Sequence, residues 1–343
     1  MRLGLIGLGR IGGFHADTLS HLDGVDSLVV TDAVPAVTKT VAERFGAEAA
    51  ESPAALISSG VDGVVVAAAT DAHTTLIKAG VDAGIPVFCE KPLSGVVDEA
   101  IAIANYVNTS GVQVQIGYPR RFDPAYLAAR NAVVSGELGW VHTVRSTTLD
   151  PAPAPRGYIA VSGGIFRDCS VHDFDTVRWV TGQEVIEVYA TGSARGDDFF
   201  AELGDVATAQ TLLTFDDGAA AVVSNTRYNS RGYDVRIELH GTADSVAAGW
   251  TDNTPLRNLE PDTSWPSGKP WTFFMDRLAD AFRAELTAFT EVVAGQRLSP
   301  CTVDDALAVT WIAEAATLSL QQHRPVRIAE VQRRTPPGRR NRR

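Results

Sequence analysis

Cysteine, basic residues and long apolar runs are all scarce in this chain. Its three cysteines, Cys89, Cys169 and Cys301, lie too far apart for a CxxC metal cluster. No apolar run reaches the roughly 18–20 residues of a membrane span. The apolar patch Leu3–Leu8 contains glycines that favour a strand and a tight turn over an export signal. We therefore expect no bound metal, no membrane partner, and reduced thiols in a cytoplasmic protein.

Positive charge is concentrated at the C-terminus. The net charge is −11, and six of the 30 basic residues are arginines between Arg333 and Arg343. The body of the chain is therefore strongly acidic, which makes a nucleic acid an unsuitable partner. Residues 329–343 are predicted to form a basic, disordered tail, to which we assign no function.

The length of 343 residues favours two domains, each with its own core. In residues 1–118, short apolar runs alternate with helical patterns. Strands are predicted at Leu3–Ile6, Ser27–Thr31, Gly63–Ala68, Pro86–Cys89 and Val112–Ile116, and helices at Ile11–Leu22, Ala36–Phe45, Ala72–Ala83 and Asp98–Asn108. Strands that are apolar on both faces and alternate with helices indicate a buried, doubly wound parallel sheet. The first domain is therefore predicted to be an α/β Rossmann domain.

Residues 119–328 have a different pattern, because strands follow one another and the helices are grouped. Strands are predicted at Val141–Leu149, Val185–Ala190, Ala207–Phe215, Ala219–Asn225 and Val235–His240. Helices are predicted at Pro124–Ser135, Asp168–Val180, Phe274–Ala294 and Val303–Gln321, and a loop at Asn253–Pro270. This order indicates an α+β domain with a large, mainly antiparallel open sheet. Because one face of such a sheet has to be buried against something, we also expect an oligomer.

The run Gly7-Leu8-Gly9-Arg10-Ile11-Gly12 follows a predicted strand and opens a predicted helix. Gly7 permits the turn, Gly9 lets a pyrophosphate approach the backbone, and Gly12 lets the helix pack closely on the strand. The helix N-terminus then offers N–H groups to the phosphates. Asp32 follows Gly12 by twenty residues; it can bind the adenosine ribose and would repel a 2′-phosphate. The sequence therefore predicts NAD binding, with NADP disfavoured.

Other polar residues follow predicted strands at the carboxyl edge of the parallel sheet, where doubly wound folds bind ligands. Thr70 and His73 come after the strand Gly63–Ala68 and are candidate cofactor contacts. His73 fits a surface or capping residue equally well. Glu90-Lys91-Pro92 comes after the next strand, and Lys91 can hold a hydroxyl and supply positive charge to a developing alkoxide.

Asp168 and His172 are four residues apart, a spacing that places two side chains on one face of a helix. A carboxylate beside an imidazole can take a proton from a hydroxyl near neutral pH. Asp175 continues the same stripe, whereas Asp173 lies off it and is expected to face solvent or an arginine. A capping aspartate and a core histidine would explain the spacing without chemistry. A hydride carrier and Lys91 in the same chain nevertheless require a proton acceptor, so we predict a dehydrogenase that acts on an alcohol carbon.

Four segments together resemble the glucose–fructose oxidoreductase/inositol dehydrogenase/rhizopine catabolism (Gfo/Idh/MocA) family. They are the glycine motif, Glu90-Lys91-Pro92, Arg120-Arg121-Phe122-Asp123 and Gly163–Asp175, and the likeness extends from Met1 to about Gln321. The segment from Val161 to Asp175 is most similar to the inositol 2-dehydrogenase branch, as is Asp150-Pro151-Ala152-Pro153.

The resemblance implies roles for individual residues. Lys91 would position the substrate hydroxyl, and Asp168 and His172 would orient and deprotonate it. Further contacts that it implies are with the cofactor at Glu90 and Lys91, and with the substrate at Arg121, Asp175 and Tyr233. It also implies a cis bond between Lys91 and Pro92, and a homotetramer, with a dimer as the alternative.

The substrate implied by the resemblance is a polyol, with myo-inositol oxidised to 2-keto-inosose as the first expectation. Arg231, Leu278 and Phe282 stand where inositol dehydrogenases tend to have tyrosines, and they could remodel one wall of the pocket. Another inositol isomer, an aminocyclitol or a pyranose sugar is therefore an alternative substrate. A non-catalytic sugar or NAD sensor is an alternative of another class, although a sensor would not need Lys91, Asp168 and His172 together.

Overall fold

The computed structural model describes residues 1–334, which form two compact units. The first unit contains Met1–Tyr118 and Phe282–Ala308, and the second contains Pro119–Ala281 and the described residues from Val309 onward. Residues 282–308 lie within the segment predicted as the second domain, 119–328. They belong to the first unit because Leu286, Phe289 and Val292 are buried in its core with residues of the parallel strands.

The first unit is built on a six-stranded sheet with the strand order β3-β2-β1-β4-β5-β6. Its strands are β1 (Arg2–Ile6), β2 (Ser27–Thr31), β3 (Glu48–Ala49), β4 (Gly63–Val66), β5 (Val87–Glu90) and β6 (Val114–Gly117). Its helices are α1 (Arg10–Leu19), α2 (Pro35–Phe45), α3 (Pro53–Ser58), α4 (His73–Asp82) and α5 (Val97–Ser110). All neighbouring strands pair in parallel. The prediction of a doubly wound parallel sheet is confirmed, although the short β3 and α3 were not predicted.

The second unit contains a seven-stranded sheet with the order β12-β11-β7-β10-β9-β8-β13. Its strands are β7 (Val141–Leu149), β8 (Val185–Ser193), β9 (Thr208–Phe215), β10 (Ala220–Thr226), β11 (Asp234–Gly241), β12 (Ser245–Ala248) and β13 (Val326–Arg327). β7 and β10 pair in parallel, and the other neighbours pair antiparallel. This confirms the mainly antiparallel sheet, and it shows one parallel pair that the sequence did not reveal.

The remaining helices are α6 (Pro124–Val134), α7 (Arg156–Ile159), α8 (Ile165–Asp168), α9 (Ser170–Thr181), α10 (Phe199–Glu202), α11 (Phe274–Arg277), α12 (Ala279–Val293), α13 (Val303–Gln322) and α14 (Ile328–Arg334). α12 and α13 each contribute residues to both units. Two predicted helices are therefore interrupted, the first at Cys169 and the second at Leu278. The segment predicted as a loop, Asn253–Pro270, contains neither helix nor strand.

The C-terminal prediction is wrong for residues 329–334, because they belong to α14. Val331 explains the difference, since its apolar side chain is only 3% exposed and anchors this helix. The rest of the predicted tail, residues 335–343, lies outside the described residues. Within residues 1–334, no helix is both long and apolar enough to cross a bilayer.

Candidate active site

The glycine loop between β1 and α1 has the backbone of a dinucleotide-binding turn. Gly7 has a φ of 91°, and a Cβ atom there would lie 2.5 Å from the backbone of Ala68. A Cβ atom on Gly12 would lie 1.9 Å from the carbonyl oxygen of Gly7. Around Gly9, no described atom beyond its chain neighbours lies within 4 Å of a Cβ position. Gly7 and Gly12 are thus required by the turn and by helix packing, and Gly9 leaves space for a pyrophosphate.

α1 begins directly after this loop and presents its N-terminus there. Its N-cap, Gly9, has no side chain with which to cap the helix. The first hydrogen bond of the helix runs from the Gly13 N–H to the Gly9 carbonyl oxygen over 2.8 Å. The N–H groups of Ile11 and Gly12 precede that bond, so they belong to the first turn, whose N–H groups an α-helix does not use for its own hydrogen bonds. The residues predicted to bind the pyrophosphate therefore fit that group.

Asp32 supports the same loop from the end of β2. Its Oδ2 accepts a hydrogen bond from the Leu8 N–H over 2.7 Å, and its Oδ1 accepts one from the Val34 N–H over 2.9 Å. Each carboxylate oxygen retains a further lone pair that can accept from a ribose hydroxyl. The exposed residues that follow, Ala33 and Val34, carry no positive charge. This environment suits the ribose diol of NAD and not a 2′-phosphate.

His73 is buried, with 1% of its surface exposed. Its Nδ1 lies 2.8 Å from the Pro92 carbonyl oxygen, and its Nε2 lies 3.1 Å from the Ala68 carbonyl oxygen. The ring thus connects the end of β4 to the loop after β5, which contradicts the reading of His73 as a surface residue. Contacts of His73 and Thr70 with the cofactor stay predictions.

Glu90 is the last residue of β5, and Lys91 follows it directly. The Glu90 side chain is buried, and its Oε1 lies 2.7 Å from Nε2 of His15, a fully buried residue of α1. Lys91 is partly exposed, and its bond to Pro92 is cis, as the family resemblance implied. The Glu90 carboxylate therefore braces the end of the strand against α1. His15 is not among the residues predicted from the sequence.

In the second unit, Asp168 ends α8 and His172 lies in the first turn of α9. The predicted single helical stripe is wrong, because the helix is interrupted at Cys169 between these two residues. Asp168 is 9% exposed, whereas His172 is partly exposed. The Tyr158 hydroxyl donates to Asp168 Oδ1 over 2.7 Å, and Arg227 Nη2 donates to Asp168 Oδ2 over 2.8 Å. Asp168 is therefore a carboxylate held from two sides, close in sequence to His172.

Two buried arginine–aspartate pairs hold α9 in place. Arg121 binds Asp175 through two nitrogens, with Nε 2.9 Å from Oδ2 and Nη2 2.6 Å from Oδ1. Arg120 Nη1 donates to Asp173 over 2.9 Å. Asp173 is fully buried, so the expectation that it faces solvent is wrong, whereas the alternative, an arginine partner, is confirmed. Since Arg121 and Asp175 bind each other, their contacts with the substrate stay predictions.

Asp173 also receives donors from the sheet beneath α9. Ser146 and Thr148 of β7 donate to it over 2.6 and 2.8 Å, and Asn225 of β10 donates over 2.8 Å. A buried carboxylate is stable only when its lone pairs are used in this way. The network fixes the helix that carries His172 to both parallel strands.

The residues expected to vary the pocket lie in different environments. Tyr233 is 5% exposed, and burial raises the pKa of its hydroxyl although the charge of Arg120 lowers it. Leu278 is buried and Arg231 is exposed. In the first unit, the Phe282 ring packs against the His15 ring at 5.9 Å. That position therefore belongs to the core beside Glu90.

Three residues around Asp168 were missed as a group: Tyr158, Arg227 and Asp150. Arg227 Nη1 lies 3.3 Å from Asp150 Oδ2, so this arginine contacts two carboxylates. A signal was available, since Asp150 directly follows the predicted strand Val141–Leu149 and Arg227 comes two residues after the predicted strand Ala219–Asn225. Only the parallel pairing of β7 with β10 shows that these two strand ends meet.

Two family models match this chain. One describes an oxidoreductase family with an NAD-binding Rossmann fold and matches residues 1–118. The other describes the GFO/IDH/MocA C-terminal domain and matches residues 126–247. The uncharacterized oxidoreductase YrbE of Bacillus subtilis is 37% identical, covering 96% of this chain and 97% of its own. Myo-inositol 2-dehydrogenase of Thermotoga maritima is 36% identical, covering 96% of this chain and 99% of its own.

Solved structures are similar over the same span. A probable dehydrogenase from Thermotoga maritima has a TM-score of 0.90 and 35% identity, covering 96% of this chain and 100% of its own. Scyllo-inositol dehydrogenase from Lactobacillus casei, solved with NAD(H) and scyllo-inositol, has a TM-score of 0.85 and 26% identity, covering 96% and 99%. The fold, the loop and the family matches define an NAD-dependent alcohol dehydrogenase. The chain belongs to the Gfo/Idh/MocA oxidoreductase family, which confirms the resemblance.

Proposed function

We propose that this protein oxidises a ring hydroxyl of a cyclitol to a ketone, with myo-inositol as substrate and 2-keto-inosose as product. The observation that carries the proposal is a carboxylate fixed by two donors, Asp168, four residues before the partly exposed His172, in a chain 36% identical to a myo-inositol 2-dehydrogenase. Scyllo-inositol is the second candidate, because the similar Lactobacillus casei structure contains it.

His172 is the proposed base. A neutral imidazole accepts the hydroxyl proton, and the negative charge of Asp168 stabilises the imidazolium that results. The family resemblance implies that the Lys91 ammonium stabilises the alkoxide as negative charge develops on the substrate oxygen. The nicotinamide of bound NAD supplies the hydride acceptor, held through the glycine loop and Asp32. Loss of the proton from oxygen and of hydride from carbon leaves the ketone.

A panel of substrates tests this proposal. NADH absorbance is measured with myo-inositol, scyllo-inositol, other inositols, aminocyclitols and aldoses at saturating NAD. We expect the highest kcat/KM with myo-inositol, and a product that is a ketone by mass and by NMR. Faster oxidation of an aldose would replace the cyclitol assignment, and failure with the whole panel would remove it.

The oligomeric state is proposed as a homotetramer, with a dimer as the alternative. The support is the face of the second sheet on which Tyr189, Leu212 and Val222 lie side by side on three adjacent strands. These side chains are 40%, 45% and 42% exposed in the isolated chain, an apolar row that favours burial against another subunit. Light scattering of the parent and of Leu212→Glu measures the effect, and we expect the variant to form smaller species. A monomeric parent at micromolar concentration would contradict it. The cytoplasmic location also stays a prediction.

A further inference from the structure

Arg227 lies between two carboxylates of the second unit, those of Asp150 and Asp168. Its side chain is 4% exposed, Nη2 donates to Asp168 over 2.8 Å, and Nη1 lies 3.3 Å from Asp150. One guanidinium therefore contacts both carboxylates. Arg227 was not among the predicted site residues.

The sheet explains why these residues meet. β7 and β10 run parallel, with Leu149 opposite Thr226 at their carboxyl ends. Asp150 and Arg227 are the next residues of the two strands, and the Asp150 N–H donates to the Thr226 carbonyl oxygen over 2.9 Å. The position of Arg227 is therefore set by backbone pairing and not by a flexible loop.

Arg227 is a buried cation, and the burial of a charge costs free energy. Burial lowers the pKa of its guanidinium, and the negative charges of Asp168 and Asp150 raise it by more, so that the group stays protonated. Its Nε is buried and has no hydrogen-bond partner within residues 1–334. A buried ion pair with an unsatisfied donor adds little to stability compared with an apolar replacement, so a role in function is the better explanation.

Asp168 receives its second donor from a different direction. Tyr158 is 43% exposed and donates through its hydroxyl to Oδ1, whereas Arg227 occupies Oδ2. Two donors on two oxygens restrict the carboxylate to one orientation. Both oxygens of Asp168 therefore already accept a hydrogen bond, one of them from a cation.

We propose that Arg227 is a positioning residue for the dehydrogenase reaction. It fixes Asp168 as an oriented anion, so that Asp168 aligns His172 and does not itself take the substrate proton. This inference rests on the proposed function, because it assigns the proton to His172.

The test compares Arg227→Gln, Arg227→Lys and Arg227→Ala with the parent, using the best substrate of the panel. We expect Arg227→Gln to lower kcat roughly 10- to 100-fold while KM for NAD changes less than about twofold, since charged hydrogen bonds carry effects of that size. Arg227→Lys keeps the charge but loses the two-pronged contact, so its kcat should lie between those of Arg227→Gln and the parent. Guanidinium at concentrations well below denaturing ones should raise kcat of Arg227→Ala, an effect that a general loss of packing would not show.

Arg236→Gln is the matched control. Arg236 also pairs with an aspartate, 2.8 Å from Asp234, and it stacks on Trp250, but the pair lies on β11. Its kcat should stay within about twofold of the parent. Tyr158→Phe removes only the hydroxyl that donates to Asp168, from a half-exposed side chain. It therefore tests the orientation of Asp168 even if Arg227→Gln does not fold. It should lower kcat several-fold without a change in melting temperature.

Outcomes of the two proposals can be separated. A parent that oxidises none of the polyols would overturn the proposed function. A parent that is active, with folded Arg227→Gln equally active or with no rescue by guanidinium, would overturn the role of Arg227 alone. Unchanged kcat in Tyr158→Phe would contradict the two-sided positioning of Asp168.

Discussion

In the first unit, the cofactor loop consists of close sequence neighbours. In the second unit, the buried arginine–aspartate pairs join residues that are far apart in the chain. Gly7 and Gly12 contact each other across five positions. In the second unit, the pairs of Arg120 with Asp173 and of Asp168 with Arg227 span 53 and 59 positions. Motifs can therefore show a cofactor site from sequence, but they do not show which distant residues pair with each other in a site assembled by tertiary contacts.

The largest expected effects separate chemistry from cofactor binding. Lys91→Ala and His172→Ala should each lower kcat by roughly 10²–10⁴, because each removes a group that acts on the substrate hydroxyl. NAD binding should change little, since neither residue belongs to the glycine loop. Turnover is measured by NADH absorbance, and NAD affinity by quenching of intrinsic fluorescence. A fully active His172→Ala protein would show that another group is the base.

The comparison also explains which parts of the fold were predictable. Alternating patterns identified most strands, and Gly7, Gly9, Gly12 and Asp32 identified the cofactor loop because strand, turn and helix are consecutive. The return of residues 282–308 to the first unit could not be predicted, since it depends on where Leu286 and Phe289 find apolar partners.

Predictions for the second unit failed for a related reason. Asp168, His172 and Asp175 have helical spacing, but the interruption at Cys169 and the arginine partners depend on tertiary contacts. The parallel neighbours β7 and β10 are separated by 70 residues of sequence between Leu149 and Ala220. Hairpin signals cannot reveal such a pair, so they could not predict that Arg227 lies beside Asp168.

Stability should respond strongly to the long-range pairs. Asp173→Asn keeps the shape of the side chain but leaves the Arg120 charge buried without its counterion, which should cost about 3–5 kcal/mol. Urea unfolding followed by circular dichroism measures this change. The control is Glu43→Gln, whose pair with Lys39 is exposed on both sides and 3.8 Å long, so it should leave stability unchanged. Equal stability of the two variants would mean that the buried network does not hold α9.

Cofactor choice tests the local site of the first unit. Asp32→Ala combined with Ala33→Arg should lower kcat/KM for NAD by about 10- to 100-fold and raise that for NADP, because it removes a charged acceptor and adds a phosphate ligand. Ala33→Arg alone is the control, since it keeps the bonds from Leu8 and Val34 to Asp32. Initial rates with both cofactors are compared. Equal use of NAD and NADP by the parent would contradict the assignment of Asp32.

The smallest effect concerns two thiols that adjoin the proposed catalytic segments, Cys89 before Glu90 and Cys169 after Asp168. Burial raises the pKa of both well above the ordinary value, and the charges of Glu90 and Asp150 raise them further. The folded state thus favours the neutral thiol, so the stability this contributes is present below the ordinary pKa of about 8.5 and is lost as pH rises above it.

Because only the thiolate is alkylated, iodoacetamide near pH 8 should modify neither Cys89 nor Cys169 in the native protein, although all three cysteines should react in denaturant. Peptide mass spectrometry then measures how fast each thiol is alkylated, with Cys89 reporting on the first unit and Cys169 on the second. Faster loss of the Cys169 thiol would show that the second unit opens more readily, whereas rapid native modification of both would contradict their burial.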